Sequence, residues 1–353
     1  MARQKAIRAA VPAVALVLLA AACGGGDDDG ASTSGGESAS IRVANTSPTQ
    51  PGFVPAKYGV ITYGSDFGLD MTIDNFTTFD SHAVATQTVL SGRADVVAGS
   101  LVSNLLLNEQ GQDFKLFCPY IAQDDFVIAG ANGIDSVEDL FDANTRVALD
   151  SPGGAGDVIL NAMLQSLGED RTAADIPGIQ ILESSGLRTT AFAAGDVDAT
   201  VIHDYQYYEA AEQAPDPVII ASLFEEVPGF VKEAHAAPAD WLEENSELAA
   251  EYCASVLMGM RDLSADYDAF VSAVEEFADV EEMPDDETLR ALHASAVEYG
   301  FWPGEDGGLS EESITLMAEV GVNSGLLEEV PKYEDVVAVD ILERALELVE
   351  EQS

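Results

Sequence analysis

One junction occurs twice in this sequence, as Ser91-Gly-Arg-Ala-Asp-Val-Val97 and as Ala194-Gly-Asp-Val-Asp-Ala-Thr200. In each case a predicted helix ends at a glycine, a polar turn follows, and a short hydrophobic strand begins. This order is typical of the connection between a helix and the next strand of a sheet. Its recurrence predicts two similar lobes, each built from strands and helices.

Short apolar strands alternate with helical stretches through the first two thirds of the chain. The predicted strands are Ile41–Ala44, Leu69–Ile73, Ala94–Ala98, Lys115–Cys118, Phe126–Ala129, Arg146–Leu149, Ile179–Leu182, Ala199–Ile202 and Val218–Ile220. The alternation indicates an α/β fold with largely parallel sheets. From about Pro238 onward the pattern is nearly all helical, which predicts a helical C-terminal region.

The N-terminus has the order of an export signal. Three basic residues and no acid precede the apolar run Val11–Ala22, which is too short to span a bilayer. The run leads into Leu19-Ala-Ala-Ala-Cys23, which resembles the lipobox of bacterial lipoproteins. The resemblance implies that residues 1–22 are a signal peptide and that Cys23 is lipidated and anchors the protein to the cell membrane. The alternative is a secretory signal followed by an incidental cysteine.

Residues 23–40 read as a flexible tether. They are rich in Gly, Asp and Ser and contain no apolar residue larger than alanine, so they have no means of burying themselves. Residues 41–353 are enough for a two-lobed molecule, and the 47% hydrophobic content of the chain supplies the cores.

The chain is strongly acidic, with a formal net charge of −48 at pH 7. Such a charge excludes a nucleic-acid partner, because phosphate backbones attract basic surfaces. The acids fall on predicted helix faces, as in Glu243–Glu244 and Glu275–Glu276, and indicate a solvated surface suited to a salty medium. No loop of alternating Asp and Asn with a closing Glu is present, so we expect no calcium site and no other metal.

Beyond Cys23 the sequence has two cysteines, Cys118 in an apolar run and Cys253 in a predicted helix. There is no CxxC motif and no histidine cluster nearby, so neither a zinc site nor a disulfide framework is indicated. We therefore expect two buried thiols rather than a bridge.

Four stretches together resemble the periplasmic substrate-binding proteins of the nitrate, sulfonate, taurine and thiamine-precursor group. They are Val54–Gly59, Thr88–Ser100, Ser136–Phe141 with Arg146–Gly156, and Thr190–Ala199. The stretches cover most of residues 41–225, and it is their order, spacing and position behind a lipobox that carry the resemblance.

The resemblance implies the two-lobed type II fold of periplasmic binding proteins. Lobe 1 would comprise residues 41–120 and 225–353, and lobe 2 residues 121–224, with ligand bound in the cleft between them. It further implies a monomeric extracytoplasmic lipoprotein that hands a small molecule to the permease of an ABC importer. No cofactor is implied.

Candidate ligand-binding residues lie in four loops that follow predicted strands, where helix N-termini present free amides. They are Thr46, Ser47, Gln50, Phe53, Gly99, Ser100, Ser151, Gly153, Gly154, Ala155, His203 and Tyr205. The glycine-rich loop lacks the lysine of a P-loop, and its alternative is an ordinary turn. For the tyrosine-rich loop the alternative is helix packing.

The sequence leaves the charge of the ligand open. The chain has 15 Lys and Arg, of which three lie in the signal, so twelve remain. An anion would depend mainly on helix N-termini, with Arg188 or Lys57 as reinforcements. A planar, neutral or weakly basic ligand would instead use the tyrosines with Asp204 or Asp125.

An enzyme is the main alternative from another class. Ser151, His203 and Asp204 could be drawn as nucleophile, base and orienting acid, but the chain has no GxSxG motif. The cysteine-rich motif of the thiamine-pyrimidine synthases that share this fold is also absent. We therefore expect no catalytic activity. A ligand sensor for a membrane kinase is a further alternative that the sequence leaves open.

Overall fold

A computed structural model of the protein describes residues 39–46, 49–79, 81–152, 154–280, 283–303 and 307–352. The signal peptide and Cys23 lie outside the described residues, as do Ser47 and Gly153. Within these ranges no helix combines the length and the apolar character needed to cross a membrane.

Ten strands form two five-stranded sheets in the described part of the chain. They are β1 (Val43–Asn45), β2 (Phe76–Thr78), β3 (Val96–Ser100), β4 (Phe114–Ile121), β5 (Phe126–Gly130), β6 (Val147–Leu149), β7 (Ile179–Ile181), β8 (Ala199–His203), β9 (Val218–Ser222) and β10 (Glu233–Pro238). Sheet I has the order β2-β1-β3-β10-β4, and sheet II has the order β7-β6-β8-β5-β9. In each sheet the first three strands are parallel, and the fourth runs antiparallel to its neighbours. The α/β prediction is confirmed.

Helices cover the sheets and make up the C-terminal region. They are α1 (Val54–Tyr63), α2 (His82–Leu90), α3 (Leu101–Glu109), α4 (Ala155–Ser166), α5 (Ser185–Ala193), α6 (Asp204–Ala211), α7 (Leu223–Glu226), α8 (Ala239–Glu244), α9 (Ser246–Ala265), α10 (Tyr267–Phe277), α11 (Asp286–Glu298), α12 (Glu311–Asn323), α13 (Tyr333–Val336) and α14 (Val339–Gln352). The long helix α9 lies between α1 and α14 and packs on β4. The predicted helical C-terminal region is confirmed, because α8 to α14 follow β10.

The repeated junction takes the same form in both sheets. Gly92 and Gly195, which follow α2 and α5, have φ values of +70° and +72°, a left-handed conformation that favours glycine. Arg42, just before β1, pairs with Asp95 at 2.5 Å. In sheet II, Arg146 just before β6 pairs with Asp198 at 2.6 Å. Each arginine also donates to carbonyl groups of the turn, so an ion pair ties the first parallel strand to the junction.

The chain passes from one sheet to the other twice. It leaves sheet I at the end of β4 and enters sheet II at β5, with residues 122–125 between them. It returns after β9 through α7 and residues 227–232 to β10, which lies in the middle of sheet I. The two connections therefore bring residues 122–125 and 227–232 to the boundary between the sheets.

One strand prediction was wrong, and one strand was not predicted. No strand forms at Leu69–Ile73, because Leu69 makes only an isolated bridge to Ala39 and the chain then turns through a short 3-10 helix. The strand that pairs with β1 at this edge is β2, which begins at Phe76. Leu69 and Met71 are apolar because they are buried in the core, not because they belong to a sheet. β10 was not predicted, since its sequence Glu-Ala-His-Ala-Ala-Pro lacks the β-branched and aromatic residues that mark strands.

The expectation of two free thiols was also wrong. Cys118 in β4 and Cys253 in α9 form a disulfide, with their Cα atoms 5.3 Å apart and 135 residues between them in sequence. Both cysteines are fully buried, as expected. The bridge could not be seen in the spacing, since it depends on how α9 packs against β4.

Candidate functional site

A cavity of about 360 Å³ lies where strands of both sheets end. Sheet I contributes Thr46, which follows β1, and Ser100 at the end of β3. Gly154 and Ala155, which follow β6 of sheet II at the start of α4, line the same cavity. The structure therefore brings together four candidate residues that are far apart in sequence.

Four other candidates line a narrower pocket at the crossing between the sheets. These are Gln50, Phe53, His203 and Tyr205. The His203 ring stacks on Tyr205, with centroids 5.6 Å apart, and lies 4.0 Å from the ring of Phe126. The aromatic side chains of this pocket thus pack largely on one another.

Two buried contacts between a basic and an acidic side chain involve the crossing segment 122–125. His203 Nδ1 lies 2.5 Å from Asp125 Oδ1, and Lys232 Nζ lies 2.6 Å from Asp124 Oδ2. The Lys232 ammonium also lies between two aromatic rings, 4.9 Å from Phe53 and 4.8 Å from Phe126. The Lys232–Asp124 contact joins the connection at residues 227–232 to the connection at residues 122–125. Lys232 lines the 360 Å³ cavity as well.

Burial and neighbouring charges set the pKa values in this cluster. Burial raises the pKa of Asp124 even though Lys232 and His203 oppose the shift. Burial also pushes the pKa of Asp125 upward, but its interactions with His203 outweigh this effect and the pKa is lowered. For Lys232 burial acts downward, yet the charges of Asp124 and Glu233 raise its pKa. The lysine is therefore positively charged and Asp125 is negatively charged at neutral pH.

Two polar side chains that line the cavity have atoms without a hydrogen-bond partner among the described residues. Glu233, the first residue of β10, is 5% exposed, and its Oε2 accepts no hydrogen bond from them. Burial raises the pKa of this carboxyl group to about 7. Neither ring nitrogen of His82 has such a bond, and burial lowers the pKa of the imidazole to about 4. Both residues line the cavity, where a ligand could supply the missing contacts.

The helix N-termini around the cavity are capped by the protein's own side chains. Ser81 Oγ accepts from the first turn of α2 and Ser100 Oγ from the first turn of α3, each at 3.3 Å. The Asp150 carboxylate accepts from the Gly156 and Asp157 amides of α4 at 2.8 and 2.9 Å. These amides were the donors on which an anionic ligand was expected to depend.

Several candidate residues have other partners. Gly99 lies within β3, where an added Cβ would overlap the Thr46 side chain, so its role is to let Thr46 approach. Ser151 Oγ donates to Glu183 at 3.1 Å. Because Ser151 bonds to Glu183 while His203 contacts Asp125, the two do not form the relay that the enzyme alternative requires.

The two basic residues considered for an anion are buried elsewhere. Arg188 donates to the carbonyl groups of Val201 and Leu182, and Lys57 Nζ contacts the carbonyl of Phe277. Neither lines the cavity. Ser47 and Gly153 lie outside the described residues.

The sequence analysis missed Lys232, Glu233, Asp124 and His82. Three of them belong to the connections between the sheets or to β10, which was not predicted. The available signal was the Lys232-Glu233 pair, which stands in an otherwise apolar stretch of a chain with few lysines.

One group of side chains has the spacing of a metal site. Donor atoms of Asp124, Asp125 and His203 all lie within 4.8 Å of one another, and among the described residues this is the only such group. The Lys232 ammonium, however, already contacts Asp124 at 2.6 Å. A metal ion would have to displace this charge, so we assign the cluster to ion pairing.

No family model and no curated protein matches the sequence. Solved structures do match. A periplasmic sulfonate-binding protein SsuA from Methylobacillus flagellatus KT is 16% identical, with a TM-score of 0.67 over 89% of this chain and 96% of that one. The chain has the fold of the periplasmic binding proteins. The two-lobed fold class expected from the sequence is thereby confirmed.

Other structures with this periplasmic-binding-protein fold belong to import systems. The zinc-bound ligand-binding component of an ABC-type import system from Staphylococcus aureus is 12% identical, with a TM-score of 0.64 over 87% of this chain and 99% of that one. The nitrate-binding protein NrtA from Synechocystis PCC 6803 is 11% identical, with a TM-score of 0.57 over 89% of this chain and 90% of that one. Sulfonate- and nitrate-binding proteins are the group that the sequence resembles, and these neighbours are binding proteins rather than enzymes.

Proposed function

We propose that this protein is an extracytoplasmic solute-binding protein that delivers a small molecule to an ABC importer. The observation that carries the proposal is the 360 Å³ cavity, which is lined by residues from both halves of the fold, among them Glu233 and His82, whose Oε2 and ring nitrogens have no hydrogen-bond partner among the described residues. Cavities of about this size bind small organic molecules. The fold, which is shared with ligand-binding components of importers, supports the same role.

The two sheets would be the cores of two lobes, residues 41–120 with 225–353 and residues 121–224. Solute would enter the open cleft and be enclosed when the lobes rotate about the two connections. The permease would recognise the closed form, and the importer's own ATPase would supply the energy. This chain therefore needs no catalytic group for its task.

Export and lipidation would hold the protein at the membrane surface. The apolar run before Cys23 supports lipidation of that cysteine, and the buried Cys118–Cys253 disulfide suits a compartment outside the reducing cytosol. Replacement of Cys23 by Ser should move the protein from the membrane fraction to the soluble fraction. Recovery of the variant with the membranes would contradict lipid anchoring.

Occupancy of the cavity tests the binding role. We expect the purified protein, incubated with an extract of small metabolites, to retain a small molecule detectable by native mass spectrometry. Ala155→Trp, which fills the mouth of the cavity, should lower retention at least about tenfold. Ala265→Trp is the control, because Ala265 is also exposed but lies at the end of α9 and does not line the cavity.

Two outcomes would change the proposal. If the wild-type protein retains no small molecule, the binding role is wrong. If it binds a solute but copurifies from membranes with a kinase rather than a permease, the protein is a sensor.

A further inference from the structure

We infer that the cargo is a small organic cation whose protonated nitrogen pairs with the carboxylate of Glu233. The inference rests on the proposed function and adds the chemical class of the solute. It depends on three observations: an unpaired buried carboxylate, an excess of acid over base around it, and capped helix N-termini.

The first observation is the position of Glu233. In sheet I this residue lies opposite Ser100 of β3 and Ile121 of β4, at the end of β10 that adjoins both connections between the sheets. Its side chain lines the cavity, and its Oε2 has no hydrogen-bond partner among the described residues. A buried carboxylate oxygen without a donor is costly, and a ligand N–H group would satisfy it.

The second observation is the local balance of charge. Asp124, Asp125 and Glu233 are three buried carboxyl groups, and they face only Lys232 and His203 among the described basic residues around them. Lys232 and His203 are already within 2.6 Å of Asp124 and Asp125, respectively. Two basic side chains thus face three carboxyl groups, so an ionised Glu233 has no basic partner of its own, and in the absence of a ligand its pKa is raised to about 7. A cation beside Glu233 would balance its negative charge.

The third observation concerns the groups that an anion would need. One amide in the first turn of α2 and one in that of α3 donate to Ser81 and Ser100, and two amides of α4 donate to Asp150, so a sulfonate or nitrate group would compete for these amides with the protein's own acceptors. It would also lie beside the Glu233 carboxylate. His82 is neutral at pH 7 because its pKa is about 4, so it offers no positive charge to compensate. Lys232 also lines the cavity, but its ammonium group is already paired with Asp124 at 2.6 Å.

The remaining lining suits an organic molecule rather than a bare ion. Val102, Phe230 and Met317 provide apolar walls, and the Thr46 and Ser103 hydroxyl groups can accept hydrogen bonds. An ammonium or amidinium group at Glu233 with an apolar body against these walls uses both kinds of surface.

The experiment uses a metabolite extract separated by ion exchange into cationic, neutral and anionic fractions as the probe. The purified protein is incubated with each fraction, and native mass spectrometry detects what it retains. We expect retention from the cationic fraction alone. Glu233→Gln should lower this retention about tenfold or more, because it removes a charge-assisted hydrogen bond.

Two variants control for changes in charge and fold. Glu244→Gln makes the same charge change at an exposed position and should retain the solute as the wild type does. Glu233→Asp keeps the charge and should retain more solute than Glu233→Gln. Thermal unfolding of each variant checks that it is folded.

The outcomes separate the two proposals. Retention from the anionic or neutral fraction would overturn the cationic cargo and leave the binding role intact. Retention from no fraction would overturn both. Retention of a cation with equal affinity by the wild type and a folded Glu233→Gln would overturn the assignment to Glu233.

Discussion

Glu233 is buried at the first position of β10, next to the ion pair of Lys232 and Asp124. Burial raises the pKa of its carboxyl group, as does the charge of Asp124, while Lys232 and His203 act in the opposite direction. Tyr120, fully buried nearby, also interacts with the carboxyl charge. The protonation state of this one side chain therefore depends on groups from both connections between the sheets.

The pH dependence of the unfolding free energy of the ligand-free protein should reflect the raised pKa of Glu233. Folded Glu233 keeps its proton up to a pH of about 7, whereas the unfolded chain releases it near 4.5. Between these values the unfolded state binds fewer protons, so the contribution of Glu233 to the unfolding free energy falls as pH rises. Relative to Glu233→Gln, the wild type should lose roughly 3 kcal/mol between pH 4.5 and 8.

Urea unfolding of both proteins across this pH range measures the difference. His82 and His235, whose pKa values are lowered to about 4, raise stability with pH over an overlapping range. Both histidines are present in the two proteins, so their contributions cancel. A difference in unfolding free energy that stays constant with pH would show that Glu233 is ionised throughout.

For individual residues, the sequence could predict some of those that line the cavity, but not the ones whose polar atoms lack hydrogen-bond partners there. Thr46, Ser100 and Ala155 could be placed near one another because each follows a predicted strand, and strand ends share an edge of a sheet. Glu233 could not, because its burial depends on how the two connections meet. His82 begins α2, and no pattern in the sequence distinguishes it as a cavity residue. These candidate positions remain predictions until a ligand is bound.

Helices α1 and α9 cross at two glycines. A Cβ added to Gly259 would lie 2.5 Å from the Pro55 carbonyl oxygen, and one added to Gly59 would lie 3.0 Å from the Gly259 Cα. The backbones can approach this closely only because neither residue has a side chain. Since α9 also packs on β4 and α14, this crossing fixes the helical region against sheet I.

Gly259→Ala should destabilise the protein by about 1–3 kcal/mol, because the methyl group forces the two helices apart. Gly186→Ala is the matched control. Gly186 also lies in a helix, α5, but nothing lies within 4 Å of an added Cβ, so the change should be neutral or slightly stabilising. Urea midpoints measure both effects, and equal midpoints for the two variants would mean that the crossing can relax freely.

The Cys118–Cys253 disulfide joins β4 to α9 over a separation of 135 residues. Closing so long a loop restricts the unfolded chain, so replacing both cysteines by Ala should cost roughly 2–4 kcal/mol. Urea unfolding of the wild type and the double variant, each with and without reductant, measures this. Reductant should lower the wild-type midpoint and leave the variant unchanged. If the variant unfolds at the wild-type midpoint, the bridge adds no stability.

The elements that were predicted are those whose own composition specifies them. β5 and β8 consist mostly of Val, Ile and Ala and coincide with predicted strands. In the region after Pro238 that was predicted to be helical, α10 and α12 have caps at Asp266 and Ser310. β10 is alanine-rich and becomes a strand because β3 and β4 flank it on both sides. Tertiary packing decided that element, as it decided the disulfide, and no local pattern records such packing.

The whole molecule combines a repeated architecture with a large excess of negative charge. Both sheets use the same junction and the same kind of Arg–Asp pair, while the chain as a whole has 63 Asp and Glu against 15 Lys and Arg. Most of the acids have no basic residue to pair with. Their mutual repulsion acts against the compact state, and it is strongest when few ions are present to screen it.

Salt should therefore stabilise the folded protein. Exposed charges repel one another over roughly 30 Å at 0.01 M ionic strength but over only roughly 3 Å at 1 M. The melting temperature should therefore rise by several degrees between the two salt concentrations. Replacing the exposed Glu243, Glu244, Glu275 and Glu276 by Gln lowers the repulsion at its source. This variant should melt higher than the wild type at low salt and show a smaller rise with salt. An equal rise in both proteins would point to an effect of salt on apolar burial rather than on charge, because only the latter depends on the number of carboxylates.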